Sequence, residues 1–212
     1  MQAKLLTKEL KIKNYVTDYK WFRWEPSIRH IINAYKKIIN VPATFTNKNV
    51  LETENLKHWA WLNFKRGFLS NPINKRLWIS YACFDYFIMY CKKLKKIAKM
   101  DVLVVDRYVD DFIIDQAINL SIPQEKCVLI KKKFFLKKFQ PPDYTIIIDL
   151  PAIEGYSRKN DGTSLSYLES RVKFYEAIRG PNTFHLDGLR SIGSISAEIK
   201  NLVLKYLGRN VL

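Results

Sequence analysis

Three short apolar runs in this chain end on an aspartate. Val102-Leu103-Val104-Val105 ends on Asp106, Tyr144-Thr145-Ile146-Ile147-Ile148 on Asp149, and Thr183-Phe184-His185-Leu186 on Asp187. The first of these carboxylates is followed at once by Arg107 and Tyr108. A carboxylate beside a guanidinium suits Mg²⁺ and phosphate handling, because Arg forks onto phosphate oxygens. Asp at a strand end is also an ordinary turn or helix-cap residue, and an Asp–Arg pair can simply close a loop. The residues alone leave both readings open.

The elements that must position these groups follow from the patterning. The first two runs are largely β-branched and lack polar alternation, as strands covered on both faces do. Helical patterns separate the runs: Phe112–Leu120, a second around Glu125–Lys138, then Ala152–Lys159, Leu165–Arg179 and Ile195–Leu207. Strands alternating with helices predict an α/β fold, a parallel sheet with helices on both faces and right-handed crossovers. In such sheets ligands sit outside the carboxyl ends of the strands, where the three aspartates fall.

Upstream, Leu5, Leu6 and Leu10 give Gln2–Lys13 a helical apolar stripe, and the aromatic, alternating Tyr15–Phe22 reads as a strand. A helix is expected after Pro26, with Ser27 near its cap, and Val41–Asn49 reads as a polar loop. The chain from there to Lys99 reads as mostly helical, punctuated near Gly67 and Asn71-Pro72. Trp78, Tyr81, Ala82, Asp85, Tyr86, Met89 and Tyr90 share one face of a long helix.

Composition narrows the function classes. With 212 residues, 48% of them hydrophobic, the chain can bury one full core, and a single domain over 1–212 is expected. Seven Gly and eight Pro exclude collagen-like or linker-like sequence. Three Cys without a C-x-x-C pair argue against a disulfide framework and a zinc site, so Cys83 and Cys91 read as small hydrophobes on one helix. No apolar h-region follows Met1-Gln2-Ala3-Lys4, and no apolar stretch reaches the roughly 18 residues of a membrane span. The expectation is a soluble, cytoplasmic protein without a membrane partner.

The formal charge of +16 favours anionic partners. The lysines concentrate at Lys92–Lys96 and at Lys131–Lys133 with Lys137-Lys138, interleaved with apolar residues as on solvated helix faces. A basic nucleic-acid-binding module using both runs is the alternative from another class, and nucleic acid is not the expected partner. His30, His58 and His185 lack metal spacing and read as packing or surface residues; Trp21, Trp24, Trp59, Trp61 and Trp78 read as core.

Taken in order, the motifs resemble the thymidylate kinase family of P-loop nucleotide kinases. Asp106-Arg107-Tyr108 after an apolar strand resembles the family's Asp-Arg-Tyr/His motif. Pro142–Asp149 is similar to its P-D-x-T-I-x-L-D strand, and Arg158-Lys159-Asn160-Asp161 falls where the Arg-bearing lid lies, at about 155–165. Arg171 and Tyr175 match E-R-x-x-x-Y, Asp187-Gly188 the I-D-G/A near the adenine, and Arg23-Trp24-Glu25-Pro26 the R-E-P loop. The resemblance covers nearly the whole chain, and the collinear set carries it.

Two departures accompany it. Tyr86, after Asp85, stands where many thymidylate kinases carry an Arg that helps bind the nucleotide. No G-x-x-x-x-G-K-[ST] occurs in the 212 residues, although Gln2-Ala3-Lys4-Leu5-Leu6 looks like the family's helix that begins inside that loop. The expectation is a start just after the phosphate loop, a missing first strand, and a gap in the sheet between the strands ending at Asp106 and Asp149.

What the resemblance implies is a nucleoside monophosphate kinase transferring the ATP γ-phosphoryl to dTMP, with Mg²⁺ as cofactor. By the same resemblance Asp106 would order Mg²⁺ through water, Arg107 would clamp the acceptor phosphate, and Arg158 would reach the transferring phosphoryl. Asp85, Tyr86 and Tyr108 would line the acceptor pocket, Arg23 and Glu25 would border it, and Arg171 would contact substrate. Asp187 and Gly188 would lie near the adenine. For Tyr86 a core aromatic, and for Arg171 a surface ion pair with Glu169 or Glu176, are the competing readings. The family also implies a homodimer. A degenerate paralogue that binds a nucleotide without turnover is the non-enzymatic alternative.

Overall fold

The computed structural model describes residues 1–28, 67–94, 100–158 and 163–209. Its first helix, α1 (Gln2–Ile12), turns Leu6 and Leu10 inward one turn apart and ends at Lys13. Asn14 then takes a left-handed φ of 65°, which Asn tolerates. The amides of Asn14 and Tyr15 bond back to the carbonyls of Lys11 and Leu10 at 3.0 and 3.1 Å, a Schellman stop that turns the chain into β1 (Thr17–Trp21).

The strands β1 and β2 (Val102–Asp106) pair in parallel, with Trp21 opposite Asp106. The strands β3 (Thr145–Asp149) and β4 (Thr183–Asp187) also pair in parallel, with Asp149 opposite Asp187. The class is α/β, and each of the three apolar runs is a strand whose last residue is its aspartate. The sheet, however, is divided: β2 and β3 are not ladder partners, so the described residues hold two parallel pairs. Both pairs nevertheless share one core, in which Leu6 and Leu10 meet Val104 of β2, Leu186 of β4, and Ile195 and Ile199 of the last helix, α7 (Ile192–Arg209). Fully burying a side chain of this size is worth about 1.5–3 kcal/mol, so helix packing, rather than strand pairing, ties the two halves together.

Between these strands lie α2 (Pro72–Leu94), α3 (Val109–Leu120), α4 (Gln124–Ile130), α5 (Ala152–Ser157) and α6 (Leu165–Glu176). The helix expected around Glu125–Lys138 is interrupted: α4 passes into a π-helical stretch, Lys131–Phe135, before a last turn, Leu136–Lys138. That stretch feeds Phe135 and Phe139 into a buried aromatic cluster with Phe112. The final helix starts three residues before the expected Ile195 because Ser191 caps it, its hydroxyl accepting from the Ser194 amide at 3.2 Å. Trp21 departs from the core reading: at the end of β1 it is 47% exposed. Cys83 and Cys91 are half-buried on α2.

The chain divides into two compact units, Met1–Arg23 with Lys93–Leu212, and Trp24–Lys92. No helix among the described residues is long and apolar enough to cross a membrane. The part beyond Ile28 of the helix expected after Pro26, the loop Val41–Asn49, the helical stretch up to 66, His30, His58, Trp59, Trp61, Lys95, Lys96 and the lid residues Lys159, Asn160 and Asp161 lie outside the described residues.

Candidate functional site

The end of β2 brings charged groups together. Asp106 shares the face of Val104, which packs on α1, and its Oδ2 accepts a hydrogen bond from the Tyr19 hydroxyl at 3.0 Å. Burial, with that bond and the carboxylate's charge added, raises the Tyr19 phenol above its ordinary range. The Lys4 ammonium lies 5.7 Å from the centre of the Tyr19 ring. Arg107 follows with φ of 62°, a left-handed backbone that an Arg adopts only when its surroundings hold it there. Its guanidinium is half-buried and touches Asp111 through one contact of 3.3 Å. Tyr108 is the N-cap of α3; its amide donates to the Asp111 carboxylate and its hydroxyl to the Gln140 carbonyl at 2.8 Å.

Behind Arg107 stands a network that joins α3 to α6. On α3, Asp111 and Asp115 are one turn apart; on α6, Tyr167, Arg171 and Tyr175 occupy the matching spacing. Arg171 Nη2 lies 3.1 Å from Asp111, and its Nη1 also pairs with Asp115. The Tyr167 hydroxyl donates to Asp115 at 2.8 Å, and the Tyr175 hydroxyl to Asp111. Burial disfavours the Arg171 charge, but Tyr175, Asp115 and Tyr167 outweigh it and hold the guanidinium ionised. Burial, then Asp111, pushes the Tyr175 phenol well above its ordinary range.

At the end of the second pair the aspartates lie on the other face. Ile146 and Leu186 pack into the α1–α7 core, so Asp149, His185 and Asp187 alternate away from it. His185 Nδ1 sits 2.9 Å from Asp149 Oδ2, and its Nε2 lies 2.9 Å from the Ile178 carbonyl. Asp187 closes a local turn, accepting from the Leu189 amide at 2.9 Å. Gly188 is buried against β3, its amide donating to the Asp149 carbonyl at 2.7 Å. Each of the three aspartates thus ends a strand of a parallel pair, but Asp106 emerges on the core face and the other two on the opposite one.

Arg158 is exposed at the end of α5, 3.8 Å from Glu154. Arg23 and Glu25 are exposed, and Tyr86 is fully buried on α2. Asp85 is a tether within the second unit: its Oδ2 accepts from Trp24 Nε1 at 2.9 Å and from the Ser27 amide at 3.0 Å. Of the lysine runs, Lys131 pairs with Asp110 at 2.5 Å and Lys93 donates to the Trp21 carbonyl, while Lys92, Lys137 and Lys138 are exposed.

Two parts of this candidate site were not evident in the sequence: the Asp111/Asp115 pair and Tyr19. The i, i+4 spacing of the first and the i, i+4, i+8 spacing of Tyr167, Arg171 and Tyr175 were the available signals. The chain matches no protein-family model and no curated protein.

Proposed function

We propose that this chain carries the acceptor side of a nucleoside monophosphate kinase of the thymidylate kinase type, with dTMP as acceptor, ATP as donor and Mg²⁺ as cofactor. The observation that carries the reading is Arg107: a half-buried guanidinium on a left-handed backbone, next to Asp106 at a strand end, with one long contact to a carboxylate. A site that holds an unfavourable backbone to present a guanidinium is suited to an anion that must be placed accurately.

Asp106 fits a magnesium role. Mg²⁺ is held by one or two carboxylates together with phosphate oxygens and water, and the half-buried Asp106 carboxylate takes a bond from Tyr19 on one oxygen only. When bound, the ion would neutralise phosphate charge. The donor phosphates do not fit the residues present, because no glycine-rich loop with its Lys and Ser/Thr occurs in the 212 residues. What the chain's own residues do is bind and orient the acceptor phosphate at Arg107, with Tyr108 fixed beside it by Phe22 and Gln140. By the family resemblance Arg158, exposed at the end of α5, would reach the transferring phosphoryl.

A second reading, nucleotide binding without turnover, is favoured by that same missing loop. Calorimetric titration with dTMP, beside a coupled assay with ATP and Mg²⁺, separates the two. Saturable dTMP binding that Arg107→Ala weakens by about tenfold or more supports the site, since hydrogen bonds to charged groups contribute about 1.5–3 kcal/mol. Failure to bind any nucleoside monophosphate overturns it. Binding without turnover selects the second reading.

A further inference from the structure

Four donors converge on the Asp111 carboxylate: the Arg107 guanidinium at 3.3 Å, the Tyr108 amide at 3.3 Å, Arg171 Nη2 at 3.1 Å and the Tyr175 hydroxyl. Arg171 spends its fork on this network. Its Nη1 pairs with Asp115 and lies 3.2 Å from the Tyr167 hydroxyl, its Nη2 lies 2.5 Å from the Tyr175 hydroxyl, and its side chain is only 12% exposed. Using Arg171 as a substrate ligand would mean breaking a buried ion pair, leaving Asp115 without a counter-ion and Asp111 with Arg107 alone. Arg107, at 32% exposed with a single long contact, has no such cost. The two aspartates and two arginines balance in charge, and Arg171 is the member in contact with both carboxylates.

We propose that Arg171 is a positioning residue for Arg107: by neutralising Asp111 and Asp115 it keeps Asp111 from capturing the Arg107 guanidinium, which stays available to an incoming phosphate. Without Arg171, Asp111 closes on the guanidinium already beside it, and the phosphate must compete with a carboxylate for the same donors. Because Arg171 and Tyr175 sit on α6, the helix that follows the 155–165 segment, the placement of α6 and phosphate affinity at Arg107 are coupled, and by linkage the coupling runs both ways. The identity of the ligand rests on the function proposed above; the hold of Arg171 on Arg107 does not.

Two readouts keep these apart. The first needs no ligand: the Arg107 Nε–H resonance in the parent, in Arg171→Met, and in Arg171→Met with Asp111→Asn. The resonance should move in the single variant and return in the double one. The second is calorimetric titration of the same proteins with dTMP and with thymidine, which lacks the phosphate. Arg171→Met should weaken dTMP about tenfold, Asp111→Asn should restore it to within about threefold, and thymidine should change less than about twofold. An Arg107 resonance that does not move, or a dTMP loss that Asp111→Asn fails to restore, overturns the proposal, the latter showing that Arg171 touches the ligand itself. A parent that binds no dTMP while the resonances behave as expected leaves the coupling standing and sinks the kinase reading. Should Arg171→Met not fold, Arg171→Lys keeps the charge without the fork and carries the same comparison with a smaller shift. The double variant removes the Arg171–Asp111 pair but leaves the Asp115 carboxylate with the Tyr167 hydroxyl, so Asp115→Asn is added if it does not fold.

Discussion

Gly188 lies so close to the end of β3 that a Cβ on it would sit 2.6 Å from the Asp149 carbonyl oxygen. The contact is with backbone, which cannot swing away, and Gly188 also donates its amide to that oxygen. Gly188→Ala should therefore destabilise the fold by about 1–3 kcal/mol, as overpacking of a tight interior does. Denaturant unfolding of the variant beside the parent measures this. An unchanged midpoint would show that β4 can move away from β3 without penalty.

Arg107 separates backbone cost from side-chain use. In the left-handed region a residue with a Cβ pays about 1–2 kcal/mol relative to glycine, so Arg107→Gly should be more stable than Arg107→Ala by about 1 kcal/mol. Both should lose dTMP affinity to the same degree. In a chain competent for turnover, Arg107→Ala should lower the rate roughly a hundredfold, about 3 kcal/mol of barrier. Turnover within a factor of about two of the parent would reduce Arg107 to a structural residue.

Alkaline pH should loosen the second unit through Cys83. Burial lifts its thiol from an ordinary 9.0 to about 11, so the folded state holds the proton more tightly than the unfolded one. The sign follows from linkage: this contribution is fully present below pH 9.0 and is lost as pH rises towards about 11. Tm followed from pH 7 to 11 should fall less steeply in Cys83→Ala than in the parent over that window. Parallel curves would mean that the thiol does not titrate differently on folding. Tyr175, held up by burial and then by Asp111, adds a further loss at still higher pH.

Asp85 tethers Trp24 and Ser27 to α2 through one carboxylate oxygen. Asp85→Ala removes charge-assisted bonds worth about 1.5–3 kcal/mol each at most, and should release the segment that begins after the exposed Arg23. Tryptic cleavage at Arg23 should become severalfold faster while cleavage elsewhere keeps its rate. Equal rates would show that other contacts hold Trp24–Ile28.

What the sequence revealed and what it concealed divide along sequence distance. The β-branched runs before Asp106 and Asp149 announce strands because they lack polar alternation, although Ile148 is 39% exposed, and the Asp-Arg-Tyr is legible as a candidate site because its residues are adjacent in sequence. The partners of Arg171 are not: Glu169 and Glu176 are neighbours in sequence, but the guanidinium turns to Asp111 and Asp115, whose closeness depends on how α3 and α6 pack. The Asp149–His185 contact depends on the β3–β4 register, which sets Ile147 against His185. No local signal marks the π-helical stretch, since Phe135 and Phe139 keep an ordinary helical spacing. Trp21 reads as core by residue type and lies at a strand end by position.

The divided sheet leaves a footprint in the backbone amides. The Asp106 carbonyl accepts from Phe22, and the Val102 amide donates to Val16, so the even-numbered residues of β2 face β1. The Thr145 amide bonds to Asn182 and the Asp149 carbonyl to Gly188, so Thr145, Ile147 and Asp149 face β4. The amides of Leu103, Val105, Ile146 and Ile148 therefore point along edges that have no ladder partner among the described residues. In deuterated solvent these four should take up the isotope early while Val104 and Ile147, one residue away and buried, hold their protons. An every-other-residue rhythm along two apolar strands is the mark of two parallel pairs that each keep an open edge.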